Sequence, residues 1–446
     1  MRIYLLALLA GIAAPAMAQT TPAAVSGSEP STPSQSDIFA VHGQFTLTAQ
    51  GTPGFSSPYA GQNSLTPHQI KETVDATLYA GVRPWQGGEV WINPEMDQGF
   101  GLSNTLGVAG FPSAEAYKVG KSSPYFRLQR LFFRQTINLG GARDDATATL
   151  NQFAARRTAD RVVLTLGKFG VGDVFDTNRY AHDPRADFLN WTLVDAGSFD
   201  YAADAWGYST GAAVEWYRGP WTVRAGLFNL SKIPNGETLE RDFSQFQLDG
   251  EIEHRHTIGD RDGAVRVTVF RNHGRFGRFD DALALAAKAG AAPDTAPVRD
   301  WRTRIGASVN LEQAVTASVG VFARAGIADG QIEPYDFTDV DRTASAGVSI
   351  KGASWGRGGD TVGIAAVVNG ISAAHQRYLD AGGVGVLVGD GKLPHPGAEA
   401  IGEVYYSWVP IGPVSITADY QVIGNPGYNR DRGPISAFAI RLHGQF

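Results

Sequence analysis

Pro434-Ile-Ser-Ala-Phe-Ala-Ile-Arg-Leu-His-Gly-Gln-Phe446 is the stretch from which the fold is read. Every second residue back from its end is Phe446, Gly444, Leu442, Ile440 and Phe438. The interleaved set is Gln445, His443, Arg441, Ala439 and Ala437. One parity is oily and the other carries polar and charged groups, the period of two that belongs to a β-strand. A soluble domain produces this pattern too. A strand that closes on an aromatic in an exported chain points instead to a transmembrane barrel, oily side to lipid and polar side to a wet lumen.

The start of the chain argues for export. Met1-Arg-Ile-Tyr-Leu-Leu-Ala-Leu-Leu-Ala-Gly-Ile12 places one basic residue before an apolar run, and Ala16-Met17-Ala18 offers a small-x-small cleavage site. Residues 1–18 are expected to be a signal peptide. Residues 19–37, rich in Thr, Ser, Pro and Ala, are expected to be a flexible periplasmic lead-in. No later apolar run is long enough for a helical span, which leaves a soluble protein or a barrel at 38–446. The 54 Gly and the 9 Trp, 15 Tyr and 23 Phe suit many strands, tight turns and interfacial belts. With 0 Cys there are no disulfides, and a net charge of -6 gives no sign of a nucleic-acid partner.

Strands are expected at 38–50, 70–82, 88–95, 126–139, 161–168, 205–217, 220–229, 244–257, 263–273, 299–312, 315–327, 342–353, 360–371, 400–409, 413–423 and 434–446. That is about 16, an even number that returns both ends to one side. Connections after odd strands are mostly long, such as 51–69, 96–125, 169–204, 274–298 and 372–399. Those after even strands are mostly tight, such as Arg83–Gly87, Arg218–Gly219, Gly259–Asp262, Gln313–Ala314 and Pro410–Gly412. Long extracellular loops and short periplasmic turns are the barrel rhythm. Residues 140–160 break it and are read as a tolerated periplasmic insertion.

Strand parity places Arg130, Arg134, Arg224, Arg266, Arg302, Arg304, Arg324, Lys351 and Arg441 on the polar face. Asp75, Glu89, Glu95, Glu215, Asp249, Glu251, Glu253, Glu312 and Glu403 share it, as do the aromatics Trp91, Tyr79, Phe132, Phe322 and Tyr405. A charge on the lipid face near the midplane costs about 2–4 kcal/mol, so a barrel requires this one-sided placement. Trp216, Trp221, Tyr406 and Trp408 fall on the oily parity near strand ends, where aromatic belts sit. Arginine and carboxylate groups with aromatics between them suit sugars: the charges bind hydroxyls and the rings stack on a pyranose. Mutual neutralisation that merely keeps the lumen wet is the plainer alternative.

Gly167-Lys-Phe-Gly-Val-Gly-Asp-Val-Phe-Asp-Thr-Asn-Arg-Tyr-Ala-His-Asp-Pro-Arg-Ala-Asp-Phe-Leu-Asn-Trp191 resembles the signature loop of the carbohydrate-selective porin (OprB) family. Asp200-Tyr-Ala-Ala-Asp-Ala-Trp-Gly-Tyr208 and Asp419-Tyr-Gln-Val-Ile-Gly-Asn-Pro-Gly427 resemble it as well, in order along nearly the whole chain after the signal. The resemblance implies a 16-stranded, monomeric outer-membrane channel for passive uptake of monosaccharides such as glucose, with no cofactor. In porins of this size the third outer loop commonly folds inward. Asp173, Asp176, Asn178, Arg179, His182, Asp183, Arg185, Asp187 and Asn190 would then meet the wall arginines as a constriction. A rigid loop held by its own hydrogen bonds is the alternative. The same resemblance makes outer-membrane lipid and lipopolysaccharide the surroundings, and Phe446 the residue read by barrel-assembly machinery.

Other chemistry finds little support. No Gly-x-Ser-x-Gly elbow occurs, and Glu253-His254-Arg255-His256 lacks the spacing of two His on one helix face. Gly385–Lys392 departs from a phosphate loop in glycine spacing and ends before Leu393, so a flexible surface loop is expected. Asp336, Asp339 and Asp341 lack the calcium-loop pattern and read as a solvated turn with no metal. A general or anion-selective porin, a barrel enzyme and a structural barrel remain as alternatives.

Overall fold

The computed structural model describes residues 37–116 and 118–446. The expected signal peptide and residues 19–36 of the lead-in lie outside the described residues. The described residues form one closed antiparallel barrel of 16 strands. In chain order these are β1 (Phe39–Thr52), β2 (Gln69–Trp85), β3 (Gly88–Gly99), β4 (Lys121–Arg143), β5 (Thr158–Phe169), β6 (Ser209–Arg218), β7 (Trp221–Asn229) and β8 (Phe246–Ile258). They continue as β9 (Arg261–Phe276), β10 (Asp300–Ala314), β11 (Val319–Ala328), β12 (Arg342–Lys351), β13 (Thr361–Gly370), β14 (Glu399–Ile411), β15 (Val414–Gly424) and β16 (Ile435–Gln445). Each strand pairs with its chain neighbours, and β1 closes on β16 through Gln44↔Gln445 to Gly51↔Phe438.

β16 shows why the sheet closes with this register. Phe438, Ile440 and Leu442 point outward, while Ala437, Ala439, Arg441 and His443 point inward. A slip of one residue would put Arg441 in lipid, so the register is strongly specified. Inside, His443 Nδ1 meets Thr46 Oγ1 across the seam at 3.1 Å. At the rim, Gly43 and Phe446 exchange backbone hydrogen bonds of 2.9 and 3.1 Å. The Phe446 ring lies directly over Gly43, where a Cβ would displace it.

The outer surface carries exposed Leu, Ile and Val between two aromatic levels. Trp85, Trp216, Trp221 and Trp408 lie toward the short-turn rim, and Phe126, Trp301, Tyr420 and Phe438 toward the other. His254 lies in the first belt, its ring centroid 4.4 Å from that of Trp221.

The apolar core sits inside the barrel, where long connections fold inward and pack on the wall. Loop 170–208 contributes Phe175, Phe188, Leu193 and Phe199, all buried, and the short helix α1 (Trp191–Val194). Loop 100–120 lies against it through Phe111, stacked on Trp191 at 5.4 Å. Two further helices, α2 (Phe279–Ala289) and α3 (Ala373–Asp380), pack together above the lumen, with Phe279 stacked on His375 at 4.4 Å.

Several expectations need correction. β6 begins at Ser209, not 205, because the Asp204 carboxylate accepts the backbone N–H groups of Trp206 and Tyr208 and holds 204–208 as a loop. β11 begins at Val319, not 315, because Thr316 Oγ1 accepts the N–H groups of Ser318 and Val319 and makes 315–318 a turn. The Asp336–Asp341 segment is not solvated. Asp336 is buried against Lys118, Asp339 accepts N–H groups of Leu387 and Val388, and Asp341 pairs with Arg304 at 3.3 Å. The same contacts bury Leu387 and Val388, so Gly385–Lys392 is packed in the barrel mouth rather than loose at the surface. The 144–157 connection, read as a mere insertion, turns back into the barrel as a hairpin.

Candidate functional site: the lumen and its inner loop

Loop 170–208 is fastened to the wall by buried charged groups. Its Asp176 N–H donates to Glu251 of β8 (2.8 Å), and its carboxylate accepts from Asn310 of β10 (2.7 Å). Asn178 donates to Asn310 at 2.7 Å, and the Arg179 N–H donates to Glu312 at 2.7 Å. Arg324 of β11 pairs with Asp176 at 3.3 Å and donates to the carbonyls of Leu193 (2.9 Å) and Ala181 (2.7 Å). Across the lumen, Glu403 of β14 accepts the N–H groups of Leu189 (2.6 Å) and Asn190 (2.9 Å). Arg441 of β16 donates to the carbonyls of Pro184 and Asp187. Arg304, between Asp200 (2.8 Å) and Asp341, fixes the far end of the loop.

Thus Arg304 and Arg324, expected to line the path, point inward but are covered by loop 170–208, with side chains 0% exposed. Tyr405 is covered too, with Phe188 on it at 5.0 Å, and Trp91 is covered by Phe153 at 5.0 Å. Asp176, Asn178 and Asn190 are buried fasteners, Asn190 capping α1 at the Thr192 N–H. Arg266 is held by Glu253 (2.9 Å) and Glu312 (3.3 Å), and Arg302 reaches Asp281 of α2 at 2.9 Å. The Arg179 side chain is exposed.

Other expected residues meet around open space. A cavity of about 810 Å³ runs between β1–β4, the end of β16 and loop 170–208, lined by Tyr79, Arg130, Asp173, Asp183 and Arg185. β4 reaches it through a bulge: Asn93 pairs with Arg130 but Pro94 with Leu128, so Gln129 and Arg130 both turn inward. Gln129 then donates to Glu95 at 3.0 Å. Arg130 makes a forked pair with Asp173 (2.8 and 2.6 Å) and sits 4.8 Å from the Tyr208 ring. Arg185 faces Glu115 (3.3 Å), Asp75 (3.6 Å) and Glu95 (3.8 Å). Below loop 170–208, a second cavity of about 770 Å³ is lined by Arg134 and Arg224 with Glu89 and Glu215.

The protonation of several groups of the loop is displaced, His182 and Asp187 among them. Burial opposes a charge on His182, but its contact with Asp195 at 3.3 Å outweighs that and lifts its pKa to about 9. Burial, reinforced by Asp183, raises Asp187 to about 6.

Sequence reasoning missed Tyr201, Trp206 and Tyr208, which turn their rings into the 810 Å³ cavity. Trp206 is fixed by Arg127, stacked at 3.2 Å, and by its N–H bond to Tyr125 (3.0 Å). All three lie in the Asp200–Tyr208 string, so the signal was present as a motif but carried no strand parity from which to assign a direction.

The sequence matches the family described as "Carbohydrate-selective porin, OprB family" over residues 62–446. Among solved structures, the high-pH form of Pseudomonas putida OprB superposes with a TM-score of 0.68 at 15% identity, covering 92% of this chain and 94% of that one. The low-pH form of the same protein gives 0.49 at 12% identity over 92% of each chain, and the outer-membrane channel DcaP of Acinetobacter baumannii 0.48 at 10% identity over 92% and 97%. No curated protein matches in sequence. Inward-facing charge, a lipid-facing apolar surface and a family match over most of its length agree: the chain belongs to the carbohydrate-selective porin (OprB) family and is an outer-membrane channel for sugars.

Proposed function

We propose that the channel passes monosaccharides such as glucose, and that the eyelet between loop 170–208 and the β2–β4 wall selects them. The observation that carries this is the make-up of the 810 Å³ cavity, where Arg130–Asp173 and Arg185 with its carboxylates face Tyr79, Tyr201, Trp206 and Tyr208. Forked charged groups exchange hydrogen bonds with ring hydroxyls, and aromatic faces cover the C–H side of a pyranose. Because the charges are already paired, they are held in place and offer only spare donor and acceptor positions, which favours weak binding and fast release.

Liposome swelling with a graded series of mono- and disaccharides tests the reading. Monosaccharides should permeate and disaccharides should lag strongly. Equal rates scaled only by diffusion would contradict selection at the eyelet. A second reading, anion preference, is favoured by the excess of arginine over carboxylate in the lower cavity, where Arg83, Arg134, Arg156, Arg157, Arg161 and Arg224 meet Glu89, Asp173 and Glu215. The reversal potential in a salt gradient separates the two.

The proposal also covers the surroundings. Residues 1–18 act as a cleaved export signal, followed by the lead-in 19–37 and the barrel domain 38–446. The aromatic belts contact outer-membrane lipid and lipopolysaccharide, and Phe446 on the lipid side of the β1–β16 seam is read by barrel-assembly machinery.

A further inference from the structure

The hairpin 144–157 occupies the lumen from the side opposite loop 170–208. Backbone pairs Ala146↔Ala155 and Thr149↔Gln152 close it into two short strands with a tip at Leu150-Asn151. A hairpin this short does not hold itself together in water, so its position depends on docking. The docking surface is the inner wall of β2–β4. Phe153 is buried between the Trp91 ring (5.0 Å) and the Arg83 guanidinium (4.6 Å). Arg83 donates to the Ala154 carbonyl (2.6 Å), Arg134 to the Asn151 carbonyl (2.7 Å), and Asn93 to the Asn151 side chain (3.0 Å). At the base, Asp144 pairs with Arg157 (3.1 Å) and Arg161 (2.6 Å).

These contacts set the depth of insertion. Asn93 lies five residues up β3 from Gly88 at the short-turn rim, roughly 16 Å along the strand. The tip therefore stands near mid-membrane. Ala148 to Asn151 form part of the lining of the 810 Å³ cavity, beneath Arg130, Asp183 and Arg185 and opposite His42, Gln44 and Gln445. Loop 170–208 and this hairpin thus approach one passage from opposite rims.

We propose that the 144–157 hairpin is a second, periplasmic-side sieve of the channel, with Leu150 and Asn151 as its specificity-determining tip. The upper eyelet presents charged pairs and aromatic rings. The lower passage presents one apolar side chain, one amide and the polar wall of β1 and β16. A sugar leaving the upper eyelet meets the tip before it reaches the periplasm, and the gap left by the tip limits the cross-section that can follow. The inference rests on the sugar-channel reading but assigns a different element from the eyelet, and the two are tested by different variants.

Because the chain contains 0 Cys, Leu150→Cys supplies a single thiol. In planar bilayers, a bulky thiol-reactive reagent should cause a stepwise, irreversible loss of conductance in this variant and none in the wild type. In a second variant, residues 145–156 are replaced by Asn-Gly, a two-residue turn that suits a strand pair. Once shown to be folded by heat-dependent mobility in gels, it should conduct more and pass glucose faster in liposome swelling, while glucose block at the upper eyelet persists. Full labelling of Leu150→Cys without a change in current, or a shortened channel with wild-type conductance and a wild-type rate of glucose entry, would overturn the proposal. Loss of glucose block in Arg130→Ala alone reports on the upper eyelet and leaves this test independent.

Discussion

Replacing Arg324 by Met should release the inner loop without opening the barrel. Arg324 and Asp176 form a pair with both side chains 0% exposed, and the guanidinium also satisfies the carbonyls of Leu193 and Ala181. Methionine fills much of the volume but leaves the Asp176 carboxylate and those carbonyls short of donors. Removing one partner of a buried ion pair costs about 3–5 kcal/mol. Asp176 keeps two donors, the Ala196 N–H and the Asn310 side chain, both at 2.7 Å, so the lower end applies. About 3 kcal/mol corresponds to roughly a 150-fold rise in local opening of the loop. The anchors at Glu403 and Arg441 hold the segment 184–190, which confines the opening to the part near Asp176–Ala181. The β10–β11–β12 ladder involves backbone groups only and is unaffected. Hydrogen exchange read by mass spectrometry across 174–196, alongside single-channel recording, tests this. The variant should exchange faster there and show a larger, noisier current. Adding Asp176→Asn should recover part of the protection, because the two changes share one interaction. Wild-type protection in Arg324→Met would refute the reasoning that this pair pins the loop.

Three further outcomes follow from the same geometry. Phe153→Ala removes the ring between Trp91 and Arg83, a loss of about 3–5 kcal/mol to local docking, and should make the open-channel current fluctuate while the barrel stays folded. The pKa of His182 is raised to about 9, so the stability from its contact with Asp195 is complete below its ordinary value near 6.5 and is lost as pH rises through about 9. The reversal potential in a salt gradient should shift toward cations over that range, and His182→Gln should lack the shift. Ile440→Arg places a charge on the lipid parity at the middle of β16 and should lower barrel stability by about 2–4 kcal/mol in a denaturant titration, with little effect if that face were not in lipid.

The barrel was legible because a membrane enforces alternation that a soluble sheet only prefers. Arg441, His443, Glu403 and Asp75 had one permissible direction, and all four point inward. Strand ends were less legible where side chains capture the backbone. Ala205–Tyr208 and Val315–Ser318 alternate acceptably, yet Asp204 and Thr316 accept their N–H groups and make them loop and turn. Parity also gave directions without depth. It turned Arg304, Arg324 and Tyr405 inward but could not reveal the loop that covers them, because Asp200, Asp176 and Phe188 lie about a hundred residues or more away in sequence. The same distance hid the fate of Asp336, Asp339 and Asp341. Their local sequence is that of a solvated turn, and Lys118, His375 and Arg304 are what bury them. In the hairpin 144–157 the alternation from Ala146 to Asn151 is short and carried by Ala and Thr, and the apolar run Phe153-Ala-Ala155 is only three residues long. Its docking rests on one phenylalanine and on wall groups far along the chain.

The central claim is that sugar passes the cavity between loop 170–208 and the β2–β4 wall. Glucose titration of single-channel current in planar bilayers, on wild type and Arg130→Ala, tests it most directly. Arg130 is the forked partner of Asp173 beside the Tyr208 ring. Wild-type current should fall with rising glucose to a saturating block, and Arg130→Ala should show a larger current with weakened block. Unchanged conductance and unchanged glucose block in Arg130→Ala would place the sugar path elsewhere in the barrel and contradict the account.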